Sequence, residues 1–221
     1  MTRVKICGLS EVAHALAAAE AGADFIGVIL APSKRRVTPE KAQEIVMAVK
    51  GLDNPPQAVG VFVKASAEEV NRIAEYCSLD WVQLSGDEPW TYTKQLSRPV
   101  IKVVRVSRGA PAGDVLDNIS LGHKILQKDF IVLLDTHVEG SYGGTGQTFD
   151  WSLAAQVAGK APIIVAGGLS PDNVAEVVRR VRPWGVDVSS GVESKGIKDV
   201  VKIKEFVLAA RRADEEIHEN R

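Results

Sequence analysis

Short apolar runs alternate with longer amphipathic ones from one end of the chain to the other. Val4 to Cys7, Phe25 to Leu30, Ala58 to Val63, Trp81 to Leu84, Val100 to Val106, Phe130 to Leu134, Ile163 to Ala166 and Gly185 to Val188 read as strands. Their nearly continuous apolar character suits strands covered on both faces, as in a parallel sheet under helices. Helix-like segments follow at 11–21, 39–50, 67–77, 88–96 (weaker), 151–157, 170–181 and 199–211. Ser10, Thr38 and Ser66 stand where N-caps belong, and Pro39 sits in a first turn. The stretch from Ser107 to Asp129 is the least regular, and a short or irregular helix is expected there.

Repeated strand–helix units force parallel strands with right-handed crossovers. About eight such units, with no linker between halves, predict an α/β fold: a single-domain (β/α)8 TIM barrel over 1–212. A charged C-terminal tail over 213–221 is expected to fray beyond it. The rival is an open doubly wound sheet. The barrel is preferred because polar residues collect at successive strand ends.

Composition narrows the function. The 221 residues are 45% hydrophobic and 25% charged with a formal net charge of -1, so no global field would steer nucleic acid or an anionic membrane. No apolar run approaches the roughly 20 residues of a membrane span, and no signal-peptide core precedes the first strand. Two cysteines without a secretion signal point to a reducing, cytoplasmic setting. His14, His123, His137 and His218 lack metal-ligand spacing, and no Walker A or dinucleotide glycine motif follows the first strand. Neither a metal nor a cofactor is expected.

Candidate chemistry sits at the strand ends, which converge on one mouth in a barrel. Phe130 to Leu134 runs directly into Asp135. Ile131, Leu133 and Asp135 share a strand face, so Asp135 points into the mouth if Leu133 fills the barrel. It then serves as a general acid or, alternatively, organises the loop after it. That loop, with Gly140, Gly143, Gly144 and Gly146, reads as a lid leading to a helix start at Asp150. Cys7 precedes a helix start whose dipole would favour the thiolate, making it a base or nucleophile; the alternative is a small buried hydrophobe. Cys77 reads as structural. Gly167-Gly168 and Ser189-Ser190-Gly191 follow strands seven and eight, where backbone N–H groups can approach a phosphate; the alternative is two tight turns. Ser33-Lys34-Arg35-Arg36 follows strand two, as a carboxylate clamp or a solvated basic turn.

These segments together resemble the phosphoribosylanthranilate isomerase family. The matching pieces are VKICGL at 4–9, GADFIGVIL at 22–30, SKRRVTPE at 33–40, VGVFV at 59–63, VQLSGDE at 82–88, LLDT at 133–136, YGGTGQTFDW at 142–151, AGGLSPDNV at 166–174 and VDVSSGVES at 186–194. The resemblance implies a phosphate-binding (β/α)8 barrel. It implies an Amadori rearrangement of N-(5-phosphoribosyl)anthranilate to 1-(2-carboxyphenylamino)-1-deoxyribulose 5-phosphate in tryptophan biosynthesis, without a cofactor. It further implies Cys7 as general base, Asp135 as general acid, Arg35 facing the anthranilate carboxylate and Asp187 holding sugar hydroxyls. Gly167, Gly168, Ser189, Ser190 and Gly191 would carry the phosphate. The partner is then a small phosphosugar–anthranilate substrate, with no nucleic acid or membrane partner, and the protein a monomer or homodimer. Two positions depart from the family pattern: Ser85 where a histidine is usual and Gln147 where a lysine is frequent. Competing readings are the sugar isomerase of histidine biosynthesis, a Schiff-base enzyme using Lys5 or Lys102 inside the barrel, and a non-catalytic phosphate-binding barrel.

Overall fold

The strands form a closed parallel barrel in chain order: β1 (Arg3–Cys7), β2 (Phe25–Ile29), β3 (Gln57–Phe62), β4 (Trp81–Leu84), β5 (Val100–Val106), β6 (Phe130–Thr136), β7 (Ile163–Val165) and β8 (Gly185–Val188). β8 closes on β1 with Lys5 opposite Asp187. The helices are α1 (Val12–Glu20), α2 (Pro39–Lys50), α3 (Ala67–Tyr76), α4 (Trp90–Thr93), α5 (Ala112–Ile125), α6 (Trp151–Ala158), α7 (Val174–Val181) and α8 (Val200–Glu219). The computed structural model describes residues 1–107, 109–126, 129–136 and 151–219. The glycine-rich lid, His137, Gln147 and Asp150 of the sequence reading lie outside the described residues. Among the described residues no helix is long and apolar enough to cross a membrane.

Strand alternation builds two cores. Phe25, Val59, Ile101, Val103, Ile131, Leu133, Ile164 and Ala166 fill the barrel. Their neighbours in sequence, such as Val4, Ile6, Val132, Leu134 and Val186, face the helices. Each fully buried aliphatic side chain contributes roughly 1.5–3 kcal/mol. On β6 the inner face therefore reads Ile131, Leu133, Asp135, and the carboxylate emerges at the top of the barrel.

Several local expectations are revised. Thr38 and Ser66 do cap, accepting from Lys41 N at 3.3 Å and Glu69 N at 3.2 Å. Ser10 does not: Glu11 is the N-cap residue of α1, without a side-chain bond. The weak helix over 88–96 is only the single turn α4. The irregular stretch after β5 instead holds a regular 14-residue helix, α5. Gly113 and Gly122 lower its helix propensity, but Val115, Ile119 and Gly122 form a buried stripe that tertiary packing rewards. Gly122 is required by that packing, since a Cβ there would meet Phe130 at 2.8 Å and Trp90 at 2.9 Å. The last helix does not stop near Arg211; it continues to Glu219 with Ala213 and Asp214 buried. Asp214 accepts from the backbone N–H and hydroxyl of Thr2, tying the end of the chain to its beginning. A small hairpin, β9 (Glu193–Ser194) with β10 (Ile197–Lys198), follows β8 and was not foreseen.

Candidate active site

Cys7, Arg35, Asp135, Asp187, Gly167, Gly168 and Ser189 to Gly191 line one cleft at the C-terminal ends of the strands, together with Gln83, Ser85 and Arg105. Parallel closure is what gathers them, because residues more than 100 positions apart end neighbouring strands.

The electrostatics are organised by two clusters. Lys5 is wholly buried on the inner face of β1, and its Nζ donates to Asp187 Oδ1 at 2.8 Å. Burial pulls the Lys5 ammonium down, but the Asp187 carboxylate overcomes this and holds it above its ordinary value. A protonated, paired amine is not a nucleophile, which opposes the Schiff-base reading for Lys5. Lys102 does not lie inside the barrel. It alternates with Ile101 and Val103, faces the helical layer, and donates to Gly86 O at 3.1 Å beside Glu88.

In the second cluster, Arg35 grips Glu193 in a fork, Nε to Oε1 at 2.5 Å and Nη2 to Oε2 at 2.9 Å. Glu193 also accepts from buried Lys198 at 2.9 Å. Lys198 in turn donates to Ser189 O at 2.8 Å and Oγ at 3.3 Å. One chain of contacts thus runs from the arginine at the rim to the loop after β8. Burial raises the Glu193 carboxyl, but Arg35 and Lys198 outweigh it and keep the group ionised.

Burial pushes the Cys7 thiol above its ordinary value, Lys5 and Lys198 pulling against it and Asp187 reinforcing it. This revises the expectation of a thiolate supported by the helix terminus, because α1 begins only at Val12. The cations that favour the thiolate are Lys5 and Lys198, rather than a helix terminus. Cys77 is structural, as expected: it is fully buried, donates to Pro39 O at 3.2 Å, and burial pushes its thiol up to about 11.

The two glycine-containing loops pack on each other. Gly167 and Gly168 have φ of 85° and 68°, open to glycine at little cost. A Cβ on Gly191 would lie 1.8 Å from Leu169 O, so the loops meet backbone to backbone. Asn173, absent from the sequence reading, pins the first loop by accepting from Ser170 N at 2.8 Å and donating to Gly168 O at 2.9 Å. For that reason α7 begins at Val174 rather than at Pro171. Glu193 and Lys198 were missed too. Their signal is Lys195-Gly196, both at positive φ, a two-residue hairpin turn whose sequence resembles Asn-Gly. Gln83 Oε1 is buried in the cleft wall with no hydrogen-bond partner among the described residues.

Residues 4–209 match the family profile described as N-(5'phosphoribosyl)anthranilate (PRA) isomerase. The chain is 52% identical over 214 residues to the N-(5'-phosphoribosyl)anthranilate isomerase of Dehalococcoides mccartyi, covering 97% of this chain and 98% of that protein. It is 48% identical over 218 residues to the isomerase of a Roseiflexus species, covering 96% and 99%. The crystal structure of the Thermotoga maritima phosphoribosyl anthranilate isomerase superposes with a TM-score of 0.81 at 37% identity, covering 96% of this chain and 100% of that one. A structure of such an isomerase in complex with reduced 1-(o-carboxyphenylamino)-1-deoxyribulose 5-phosphate superposes at 0.79 with 36% identity, covering 96% and 100%.

Proposed function

The chain belongs to the N-(5'-phosphoribosyl)anthranilate isomerase family of tryptophan biosynthesis, and on that premise we propose that Cys7 is the general base and Asp135 the general acid of its reaction. The observation that carries this reading is the convergence of a buried thiol from β1 and a carboxylate from β6 on one cleft, between an arginine and two glycine-containing loops.

The substrate carries a negative charge at each end, a phosphate and an anthranilate carboxylate. Gly167, Gly168, Ser189, Ser190 and Gly191 take the phosphate through backbone N–H groups and hydroxyls. Arg35 takes the carboxylate, exchanging all or part of its fork with Glu193 for the equivalent fork with substrate. Asp187 accepts from sugar hydroxyls. This orientation leaves the ribose between Cys7 and Asp135.

Asp135 delivers a proton to the ring oxygen; the C1–O bond breaks as the anthranilate nitrogen lone pair forms the Schiff base. The Cys7 thiolate then removes the C2 proton, and the electrons move into an enolamine that tautomerises to the ketone. Acid and base must be in opposite states at the start, Asp135 protonated and Cys7 ionised. Because both states are needed at once, kcat/KM is bell-shaped in pH, and burial, by raising the Cys7 thiol, lowers the fraction of enzyme in the active state.

The test is a fluorescence time course with phosphoribosylanthranilate generated in situ from anthranilate and phosphoribosyl pyrophosphate by a coupled transferase. Wild type consumes the fluorescent substrate; Cys7→Ala and Asp135→Asn do so at least a hundredfold more slowly. Near-native turnover by either folded variant ends that residue's assignment.

A further inference from the structure

Below the cleft floor, Lys5 is fully buried on the inner wall of the barrel. A buried ammonium and its carboxylate partner are costly to desolvate, and an apolar pair of similar volume often serves stability as well or better. The ion pair between Lys5 and Asp187 therefore calls for a reason beyond stability, and its surroundings supply one. Strand alternation puts Lys5 and Cys7 on the same inner face of β1, two residues apart. Cys7 stands opposite Gly27 in the register of β1 and β2. A Cβ on Gly27 would lie 2.9 Å from Cys7 Sγ and 3.2 Å from Lys5 Nζ. Thiol and ammonium thus crowd the same point, and β2 carries a glycine there.

We infer that Lys5 is a positioning residue for the Cys7 base, its ammonium shared between the Asp187 carboxylate and the thiolate that forms at Cys7. The inference rests on the reading of Cys7 as general base. While Cys7 is a thiol, Lys5 and Asp187 are a neutral pair. When Cys7 ionises, the same ammonium neutralises a second anion without moving. The charged groups around the sulfur are Lys5 from β1, Asp187 from β8, Lys198 from β10 and Arg35 from the loop after β2, with Asp135 entering the cleft from β6. Lys5 and Lys198 favour the thiolate; burial and Asp187 oppose it. Of the two lysines Lys5 has the larger influence, acting on the sulfur by its charge and by a hydrogen bond, whereas Lys198 acts by charge alone.

The experiment is the pH dependence of Cys7 alkylation by iodoacetamide, with peptide mass spectrometry separating Cys7 from Cys77, on wild type, Lys5→Met and Asp187→Asn. Lys5→Met is expected to move the midpoint upward by about one pH unit or more, so that alkylation below it slows about tenfold. Asp187→Asn is expected to move it downward. Altered access would change the maximal rate and leave the midpoint in place. In turnover of Lys5→Met, the limb of the kcat profile assigned to the base moves with the alkylation midpoint while KM stays within about twofold. An unmoved midpoint in folded Lys5→Met overturns the inference. If that variant does not fold, an unmoved or raised midpoint in Asp187→Asn overturns it instead. Neither result touches the assignment of Cys7 as base, which turnover of Cys7→Ala decides separately.

Discussion

At the foot of the barrel, Asp24 accepts from Arg3 Nη1 at 2.8 Å, from Val4 N at 2.7 Å and from Arg211 Nη2 at 2.7 Å. Arg211 also donates to the carbonyls of Thr2 and Gly22 at 2.6 Å and 2.7 Å. This network joins β1, the start of β2 and α8, and one of its two cations, Arg3, lies largely in solvent. The mouth is built differently. In the ion pairs of Lys5, Arg35 and Lys198, three cations share two carboxylates, Asp187 and Glu193. An acceptor of Gln83 beside them has no partner among the described residues. Polar density alone does not separate a site from a staple. The separating features are the burial of the charges, with the Lys5 and Lys198 side chains 0% and 2% exposed against 55% for Arg3, and a buried polar atom facing a cleft.

The strongest way to sharpen the contrast is Asp135→Asn. It should lower kcat by about 10²–10⁴-fold and leave the thermal melt within a few degrees of wild type. An equally large loss of melting temperature would place Asp135 with the structural carboxylates. Next in size is Gly191→Ala. Its Cβ would meet Leu169 O at 1.8 Å, so the two loops must part. KM should rise at least tenfold and inhibition by inorganic phosphate weaken in parallel; unchanged phosphate inhibition would remove these loops from the phosphate role. Arg35→Ala should raise KM about tenfold to a hundredfold with a smaller effect on kcat, and Arg35→Lys should recover little, because an ammonium cannot offer a fork.

The smallest effect on turnover belongs to the foot. Burial raises the Asp24 carboxyl, but Arg3, Val4 N–H and Arg211 outweigh it and hold the group below its ordinary value. A carboxylate depressed on folding contributes stability above its unfolded pKa, near 4, and loses it as pH falls through the folded value. Asp24→Asn should cost about 1–3 kcal/mol at pH 7, with kcat unchanged. Its deficit in melting temperature should shrink below about pH 4. A deficit constant with pH would show that the charge of Asp24 contributes nothing.

Much of this architecture was legible in the residues. The strands show themselves because burial on both faces leaves few polar positions in them, and the barrel follows from eight such runs with helices between. Asp135 was legible because it ends an apolar run in phase with Leu133. α5 was not, since its two glycines hide a helix that only contact with Phe130 and Trp90 stabilises. The helical 213–219 segment was hidden for a related reason: its charges look solvated until Asp214 meets Thr2 from the opposite end of the chain. Glu193 and Lys198 were missed because a two-residue strand leaves almost no period to read.

The sequence by itself determined the strand–helix rhythm, the faces of the strands, the polar strand ends and the family, because periodicity and motif spacing are properties of neighbouring residues. Tertiary structure decided what those groups experience. Closure of β8 onto β1 sets Lys5 against Asp187 across 182 positions, and the hairpin after β8 brings Glu193 to Arg35. Burial, rather than a helix terminus, governs the Cys7 thiol. Proton affinities and ion pairs depend on distance and desolvation in space, and neither is a function of position along the chain.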